Sequence, residues 1–459
     1  MAILGSEDNP LLVAIVGSGP SGFYAAEALI KSDINVKVDI LERLPSPYGL
    51  VRSGVAPDHQ KLKQVIELYK KTAESADFNL IANVNVGVDI AVEELCGSHH
   101  AVIITSGAET DRKLGIPGED LDGSYTATEF VGWYNGHPDY RDREFDLSHE
   151  VAVIIGQGNV AADVSRILSK TVDELKYTDI AQHALDVLAE SKVKEVHVIG
   201  RRGPAQAKFT PKELREFGEL SNCNSIVRQE DMILNPESEL ELQEKSNIGC
   251  KKVYDQFCEF SKRETDPKMS KNCYFEFLMG PKELVGDTKL EKVILEKNQL
   301  SGKAFKQSAR GTGELIELEA GILFRSIGYR GVPIAGIPFH ESWGTIPNEK
   351  GRVTDNENNI IPQLYTAGWI KRGPSGIIGT NRACSLETVH NLLDDVAKID
   401  NNTKKLGAEA VYAILDRKKI HHLCFDDWKK IDTNEIERGK LKGKPREKYT
   451  YIDEMLTER

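Results

Sequence analysis

The sequence predicts an α/β protein built on two Rossmann-like dinucleotide-binding domains, and three observations carry that reading. An apolar hexapeptide, LLVAIV (11–16), runs into GSGPSG and then into a helix-forming stretch, FYAAEALIKS. The same order recurs as VAVIIG (151–156), GQGNVA and DVSRILSK. Each copy is followed by a further strand, VKVDILE (36–42) in the first and EVHVIG (195–200) in the second. Short apolar runs of this kind are strands buried on both faces, and two copies of one β–turn–α–β unit imply two nucleotide sites.

In the first copy, Gly17, Gly19 and Gly22 satisfy G-x-G-x-x-G, with Pro20 and Ser21 completing the cradle. The first glycine permits the tight turn, the second lets backbone approach a pyrophosphate, and the third lets the helix pack on the strand. The helix N-terminus then offers free N–H groups to the anion. Glu42 ends the next strand, at the position that accepts from a ribose hydroxyl. A glycine-rich turn in an unrelated α/β protein is the competing reading of the glycines alone.

In the second copy, Gly156, Gly158 and Ala161 give G-x-G-x-x-A. No acid follows the next strand; Arg201 and Arg202 stand there instead. Arginine forks bind a ribose 2′-phosphate through charge-assisted hydrogen bonds, whereas an acid repels it. The alternative is a solvated basic turn, and the run from Gly156 to Arg201 is longer than usual for this unit. One site with a ribose-binding acid and one with phosphate-binding arginines point to FAD at the first cradle and NADP(H) at the second, meeting for hydride transfer.

Between these landmarks, 60–75 reads as a helix and 101–106 as a buried strand. Residues 221–275 are polar and weakly periodic, expected to be a mobile segment or a lid. Strand-like pieces return at 275–279, 290–296 and 314–318. The last 30 residues are charged and expected to wrap the surface.

The bulk numbers agree with this organisation. A chain of 459 residues exceeds one core. With 71 acidic and 59 basic residues, a net charge of −12 argues against a nucleic-acid partner. No apolar run approaches the roughly 18 residues of a membrane helix, so no integral membrane segment is expected. MAILGSEDNP reads as neither a signal nor a transit peptide. None of the seven cysteines forms C-x-x-C, so no metal or Fe–S site is spelled out. A reduced compartment is expected: a bacterial cytosol, or the mitochondrial matrix if a transit peptide has been removed.

YGLVRSGVAPDH (48–59), GQGNVAADV, RRGPAQAKFTPKELRE (201–216), AGWIKRGPSGIIGTN (367–381) and GKPREKYTYIDEML near the end closely resemble the adrenodoxin reductase family of ferredoxin–NADP⁺ reductases. The resemblance runs nearly end to end. It implies a glutathione-reductase-like two-domain flavoprotein, with the NADP domain (108–324) inserted into an FAD domain made of 1–107 and 325–459. It implies hydride transfer from NADPH to FAD and one-electron delivery to a [2Fe–2S] ferredoxin. It carries over FAD contacts to Ser21, Glu42, Leu50, Val86, Trp369, Gly376, Ile377 and Ile378. NADP contacts fall on Gln157, Gly158, Asn159, Val160, Arg201, Arg202, Glu213 and Gly376. His59 and Asp163 match residues near the nicotinamide–flavin junction and are the catalytic candidates. Trp369 has an independent rationale, since a flat indole suits a heteroaromatic ring; a core tryptophan is the plainer alternative. The chain departs from the family at 229–249, which is acidic where a basic partner-binding face is implied. That leaves Lys251, Lys252, Lys262, Arg263, Lys371 and Arg372 as docking candidates. Competing functions are another NADPH-dependent flavoprotein oxidoreductase, such as a monooxygenase, or a non-catalytic nucleotide-binding protein.

Overall fold

The computed structural model of the chain describes residues 3–399 and 404–458. Its first sheet has seven strands, in the order Asn348–Glu349, Arg352–Thr354, Ile360–Thr366, Ala101–Ile104, Leu11–Val16, Val36–Glu42 and Phe78–Ala82. The last five pair in parallel, and the first two add an antiparallel edge. Leu11, Val13, Ala14 and Ile15 have no exposed surface, which is why this strand carries no polar alternation. The second sheet is wholly parallel: Ser124–Thr126, Ile322–Arg325, Val151–Ile155, Glu195–Ile199, Lys271–Glu276 and Cys223–Val227. A three-stranded antiparallel sheet, Met279–Val285, Lys292–Ser301 and Ser308–Glu319, packs against it.

In both parallel sheets the strand before the glycine loop is a switch point. Leu11–Val16 lies between Val36–Glu42 and Ala101–Ile104, and Val151–Ile155 lies between Glu195–Ile199 and Ile322–Arg325. The crevice beyond the carboxyl end of such a strand is where open α/β sheets bind ligands. A short antiparallel ribbon, Thr110–Asp111 with Tyr329–Arg330, forms where the chain leaves the first sheet and where it returns.

Three expectations need correction. The stretch 221–275 is neither a lid nor irregular. It supplies two strands of the second sheet and the helices Pro236–Gln243 and Ile248–Phe260. The latter buries Val253, Phe257 and Phe260, a stripe at i, i+4 and i+7 that intervening charges dilute. The helix expected over 60–75 is two pieces, Gln60–Lys63 and Ile66–Ala73. The C-terminal segment does not wrap the surface. Helix Phe425–Leu441 buries Trp428, Ile431 and Glu435, and beyond it Lys444, Glu447, Lys448 and Tyr449 are buried as well. There Lys448 Nζ donates to the carbonyls of Arg52 (3.1 Å) and Asn135 (3.0 Å) and lies 3.3 Å from Asp179. Burial brings its pKa down to about 7, and Asp179 and the two carbonyls stabilise what charge it keeps.

Candidate functional site

The first cradle is built by close approach. Gly17 has φ +102°, and a Cβ there would fall 2.8 Å from the Thr105 carbonyl oxygen. A Cβ on Gly22 would meet the Gly17 carbonyl at 2.1 Å, so only glycine lets this helix seat. Above Gly19, by contrast, nothing lies within 4 Å. Helix Pro20–Ile30 begins there with no side-chain cap, leaving its N–H groups to an anion. Ser21 is buried and Pro20 half-buried at the first turn. Glu42 reaches the loop: one carboxylate oxygen accepts from Ser18 N–H (3.0 Å) and Ser18 Oγ (2.6 Å), the other from Leu44 N–H (3.0 Å). These bonds fix the carboxylate against the glycine loop.

The YGLVRSGVAPDH segment lies over this cradle. Tyr48 N–H donates to the Ser18 carbonyl at 3.1 Å, and a Cβ on Gly49 would stand 3.0 Å from Gly19 Cα. Leu50 starts the following turn, half-buried. Val86 is buried near Glu42, whose carbonyl accepts from Val84 N–H at 2.9 Å. From the other side of the chain, Gly368 (φ +82°) approaches Ser21 so closely that a Cβ would fall 2.1 Å from its Oγ. The turn Trp369–Arg372 follows, with Trp369 half-buried, 5.4 Å centroid to centroid from Tyr329 and donating its indole N–H to the Ser375 carbonyl at 3.2 Å. Gly376 has φ +83° and Ile377 is exposed, while Ile378 begins the helix Ile378–Asp395.

The second cradle repeats the geometry. Gly156 has φ +133° and approaches the Ser326 carbonyl to 2.1 Å at its would-be Cβ, whereas Gly158 faces open space. Helix Asn159–Ser169 also starts without a side-chain cap. Gln157 Nε2 donates to the Glu276 carbonyl at 2.9 Å, Asn159 Oδ1 accepts from Thr210 N–H at 2.8 Å, and Val160 is half-buried against the core. Arg201 is exposed and Arg202 half-buried. Their carbonyls are tied down by Asn298 Nδ2 (3.1 Å) and Leu278 N–H (3.0 Å). Among the described residues neither guanidinium has a salt-bridge partner. The turn is thus held by its backbone while both guanidinium groups stay out of close salt bridges with those residues, with the charge of Arg202 felt at Glu241.

Between the cradles lies a charged cluster the sequence named only in part. Arg166 is fully buried. It binds Asp58 at 2.7 and 3.0 Å, Asp163 at 2.8 Å and Glu213 at 3.2 Å, and Lys170 adds a 2.7 Å contact to Asp58. His59 is buried beside it. Its Nε2 lies 2.8 Å from Glu216 and 3.4 Å from Glu213, and its Nδ1 4.0 Å from Asp163. Asp163 and His59, both expected near the nicotinamide–flavin junction, thus lie side by side. Glu213 joins them, although it was expected as a contact to NADP. Burial pulls the His59 pKa down, but the Glu216 hydrogen bond and the charges of Asp58 and Glu213 outweigh it, and the net direction is upward despite Arg166. Burial pushes Asp163 and Glu213 above the ordinary carboxylate range. Burial also opposes ionisation of Glu216, yet His59 and Arg166 hold it below that range. The cluster can therefore keep an imidazolium next to a carboxylate and hold a proton on a neighbouring acid. Glu216, Asp58 and Arg166 went unread. Their signals were present: Glu213 and Glu216 stand i, i+3 on one helix, Arg166 stands i+3 from Asp163, and Asp58 precedes His59.

The expected docking residues fare unevenly. Lys371 is only 8% exposed at its side chain and is bound to Glu387 at 2.6 Å and Thr388 at 3.1 Å. Arg372 is held by the Ser375 carbonyl and Asn381. Neither is a free docking cation, because their turn packs on helix Ile378–Asp395. Lys251 pairs with Asp255, and Arg263 stacks on Phe260. Exposed Lys61, Lys212 and Arg215 instead flank the His59–Glu216 couple.

Two switch-point cradles with their active ends facing across one cluster define a two-dinucleotide oxidoreductase. A family model described as an NAD(P)-binding Rossmann-like domain matches residues 15–75. The chain is 41% identical to the mitochondrial NADPH:adrenodoxin oxidoreductase of Arabidopsis thaliana, over 98% of this chain and 96% of that one. It is 44% identical to the mitochondrial NADPH:adrenodoxin oxidoreductase of Salvelinus fontinalis, over 97% and 90%. A solved structure of Mycobacterium tuberculosis FprA in complex with NADPH superposes with a TM-score of 0.92 at 40% identity, covering 98% of this chain and 99% of that one. The chain belongs to the family of NADPH:adrenodoxin oxidoreductases and NADPH–ferredoxin reductases.

Proposed function

We propose that this protein is an NADPH-dependent FAD enzyme that passes electrons singly to a [2Fe–2S] ferredoxin. The observation that carries the reading is the meeting of the two halves. His59, beside the first cradle, lies within 2.8 Å of Glu216 and 4.0 Å of Asp163, both beside the second. When bound, NADPH supplies a hydride and FAD takes the electron pair and releases it one electron at a time. The chain's part is to orient and to manage charge. The uncapped helix ends at Gly19 and Gly158 receive the diphosphates, Glu42 receives a ribose hydroxyl, and Arg201 and Arg202 receive the 2′-phosphate. Trp369, on the Gly368–Gly376 turn, closes the first site over the junction. His59 and Asp163 orient the nicotinamide end and hold protons near it. Leu50, Val86, Ile377 and Ile378 on the first side, and Gln157, Asn159, Val160 and Glu213 on the second, line the approach.

We also propose that 1–107 and 325–459 form the FAD domain, with 108–324 inserted as the NADP domain; the ribbon of 110–111 with 329–330 supports a boundary at each crossing. Exposed Lys61, Lys212 and Arg215 make the docking face for an acidic ferredoxin. Among the described residues no helix is long and apolar enough to cross a membrane. The seven free thiols and the mitochondrial and mycobacterial relatives support a bacterial cytosol or a mitochondrial matrix. The test is anaerobic: the FAD-loaded, yellow protein should bleach rapidly with NADPH and far more slowly with NADH. Equal rates with the two would overturn the assignment of the second cradle.

A further inference from the structure

Lys208 lies four residues beyond Pro204 in the segment that follows the arginine turn. Its neighbours Ala207 and Phe209 are buried at 3% and 5% exposure, so the alternation sends the Lys208 side chain outward. The backbone of this segment is stapled to the second cradle. Lys208 N–H donates to the Gln157 carbonyl at 2.7 Å, Lys208 bridges Gly158 in parallel, and Thr210 N–H donates to Asn159 Oδ1 at 2.8 Å. A β-bridge places paired backbones about 4.8 Å apart, and the four-carbon stem of a lysine spans that gap easily. Lys208 is exposed, and among the described residues it has no salt-bridge partner. The space it borders is the open one above Gly158, in front of the uncapped start of helix Asn159–Ser169.

We propose that Lys208 is a third cation of the second cradle, and that it holds the diphosphate of NADP(H) rather than the 2′-phosphate. The helix end supplies directed N–H donors but only a partial charge, and a diphosphate carries two full negative charges. A mobile ammonium beside the loop supplies the missing counter-charge without demanding a fixed fork. Arg201 and Arg202 belong to the turn after strand Glu195–Ile199, on the ribose side, and are left for the 2′-phosphate. Backbone-anchored as it is, Lys208 stays with the loop whichever way the arginines move.

This inference rests on the reading of the second cradle as an NADP(H) site, and its test separates the two. The FAD-loaded protein is titrated by calorimetry with NADP⁺, which has the diphosphate, and with 2′-AMP, which carries a 2′-phosphate and no diphosphate. Lys208→Gln should weaken NADP⁺ by about 5- to 10-fold, the range of a partly exposed charged hydrogen bond, and leave 2′-AMP within about 2-fold. Lys208→Arg should restore NADP⁺ binding, and the difference between wild type and Lys208→Gln should shrink as salt rises. Arg202→Ala serves as the reference and should weaken both ligands. Equal weakening of both ligands by Lys208→Gln would move Lys208 to the 2′-phosphate and overturn the proposal, as would no change in either. Arg202→Ala without effect on either ligand would instead overturn the NADP(H) reading itself.

Discussion

At the residue scale the proposed preference of the second cradle for NADPH turns on Arg201 and Arg202. A charged hydrogen bond contributes roughly 1.5–3 kcal/mol, so Arg202→Ala should raise the NADPH KM by about 10- to 150-fold and leave NADH almost unchanged. Steady-state kinetics with both nucleotides check this, and equal loss with both would reassign the turn to a structural role. His59 allows a sign-definite pH prediction. Against burial, its folded pKa is raised above the ordinary 6.5 by the Glu216 hydrogen bond and nearby carboxylates, so the imidazolium persists to higher pH than in a free histidine and is lost as pH rises through that raised value. Glu216→Gln removes the partner at 2.8 Å and should move the alkaline break in the rate of flavin reduction by NADPH downward. A break that stays in place would mean that the group seen in the profile is not His59.

At the element scale the two glycine loops divide into positions that face protein and positions that face ligand. Gly158→Ala adds a methyl into open space, so it should fold normally and lose NADP⁺ affinity by about 10-fold or more. Gly156→Ala meets both φ +133° and a carbonyl at 2.1 Å, so it should lower stability by at least about 1–3 kcal/mol. Thermal unfolding and calorimetric titration of the two variants should show opposite patterns, and a common pattern would contradict the division. Both loops, their strands and Glu42 were legible because strand, turn and helix are contiguous and the glycine spacing has a backbone cause. Helix Ile248–Phe260 was not, since its apolar stripe of Val253, Phe257 and Phe260 is interrupted by Lys251, Lys252, Asp255, Gln256 and Glu259. The cluster was half legible. His59 and Asp163 came from the family resemblance, whereas Arg166 is a charge inside a buried helical face, and its meaning appears only when Asp58 arrives from 108 positions away. Lys371 and Arg372 misled because sequence displays a cation without its partner: Glu387 and Asn381 are brought to them by a helix that follows.

At the scale of the whole molecule, the C-terminal segment and the Arg166 cluster join the halves that carry the two glycine loops. Lys448 lies between them. Burial, together with Lys63, Arg52 and Arg446, brings its pKa down to about 7 against the pull of Asp179. An unfolded lysine titrates near 10.4, so between about pH 7 and 10 the unfolded chain binds more protons at this position and stability should rise with pH. Lys448→Met should flatten that rise in denaturant unfolding measured across the same window, with Lys63 leaving a smaller residue of it, and an unchanged slope would remove Lys448 as its source. The contact of His59 with Glu216 links the two halves, and the exposed side chains of Lys61, Lys212 and Arg215, the proposed docking face, stand beside it. The most direct test of the whole account is anaerobic electron delivery from NADPH through this protein to cytochrome c, with and without a [2Fe–2S] ferredoxin. The account predicts cytochrome c reduction that requires the ferredoxin, falls as salt rises, and drops several-fold in Arg215→Glu while flavin bleaching by NADPH is unchanged. Rapid bleaching with no ferredoxin-dependent reduction for any [2Fe–2S] ferredoxin tried would contradict it.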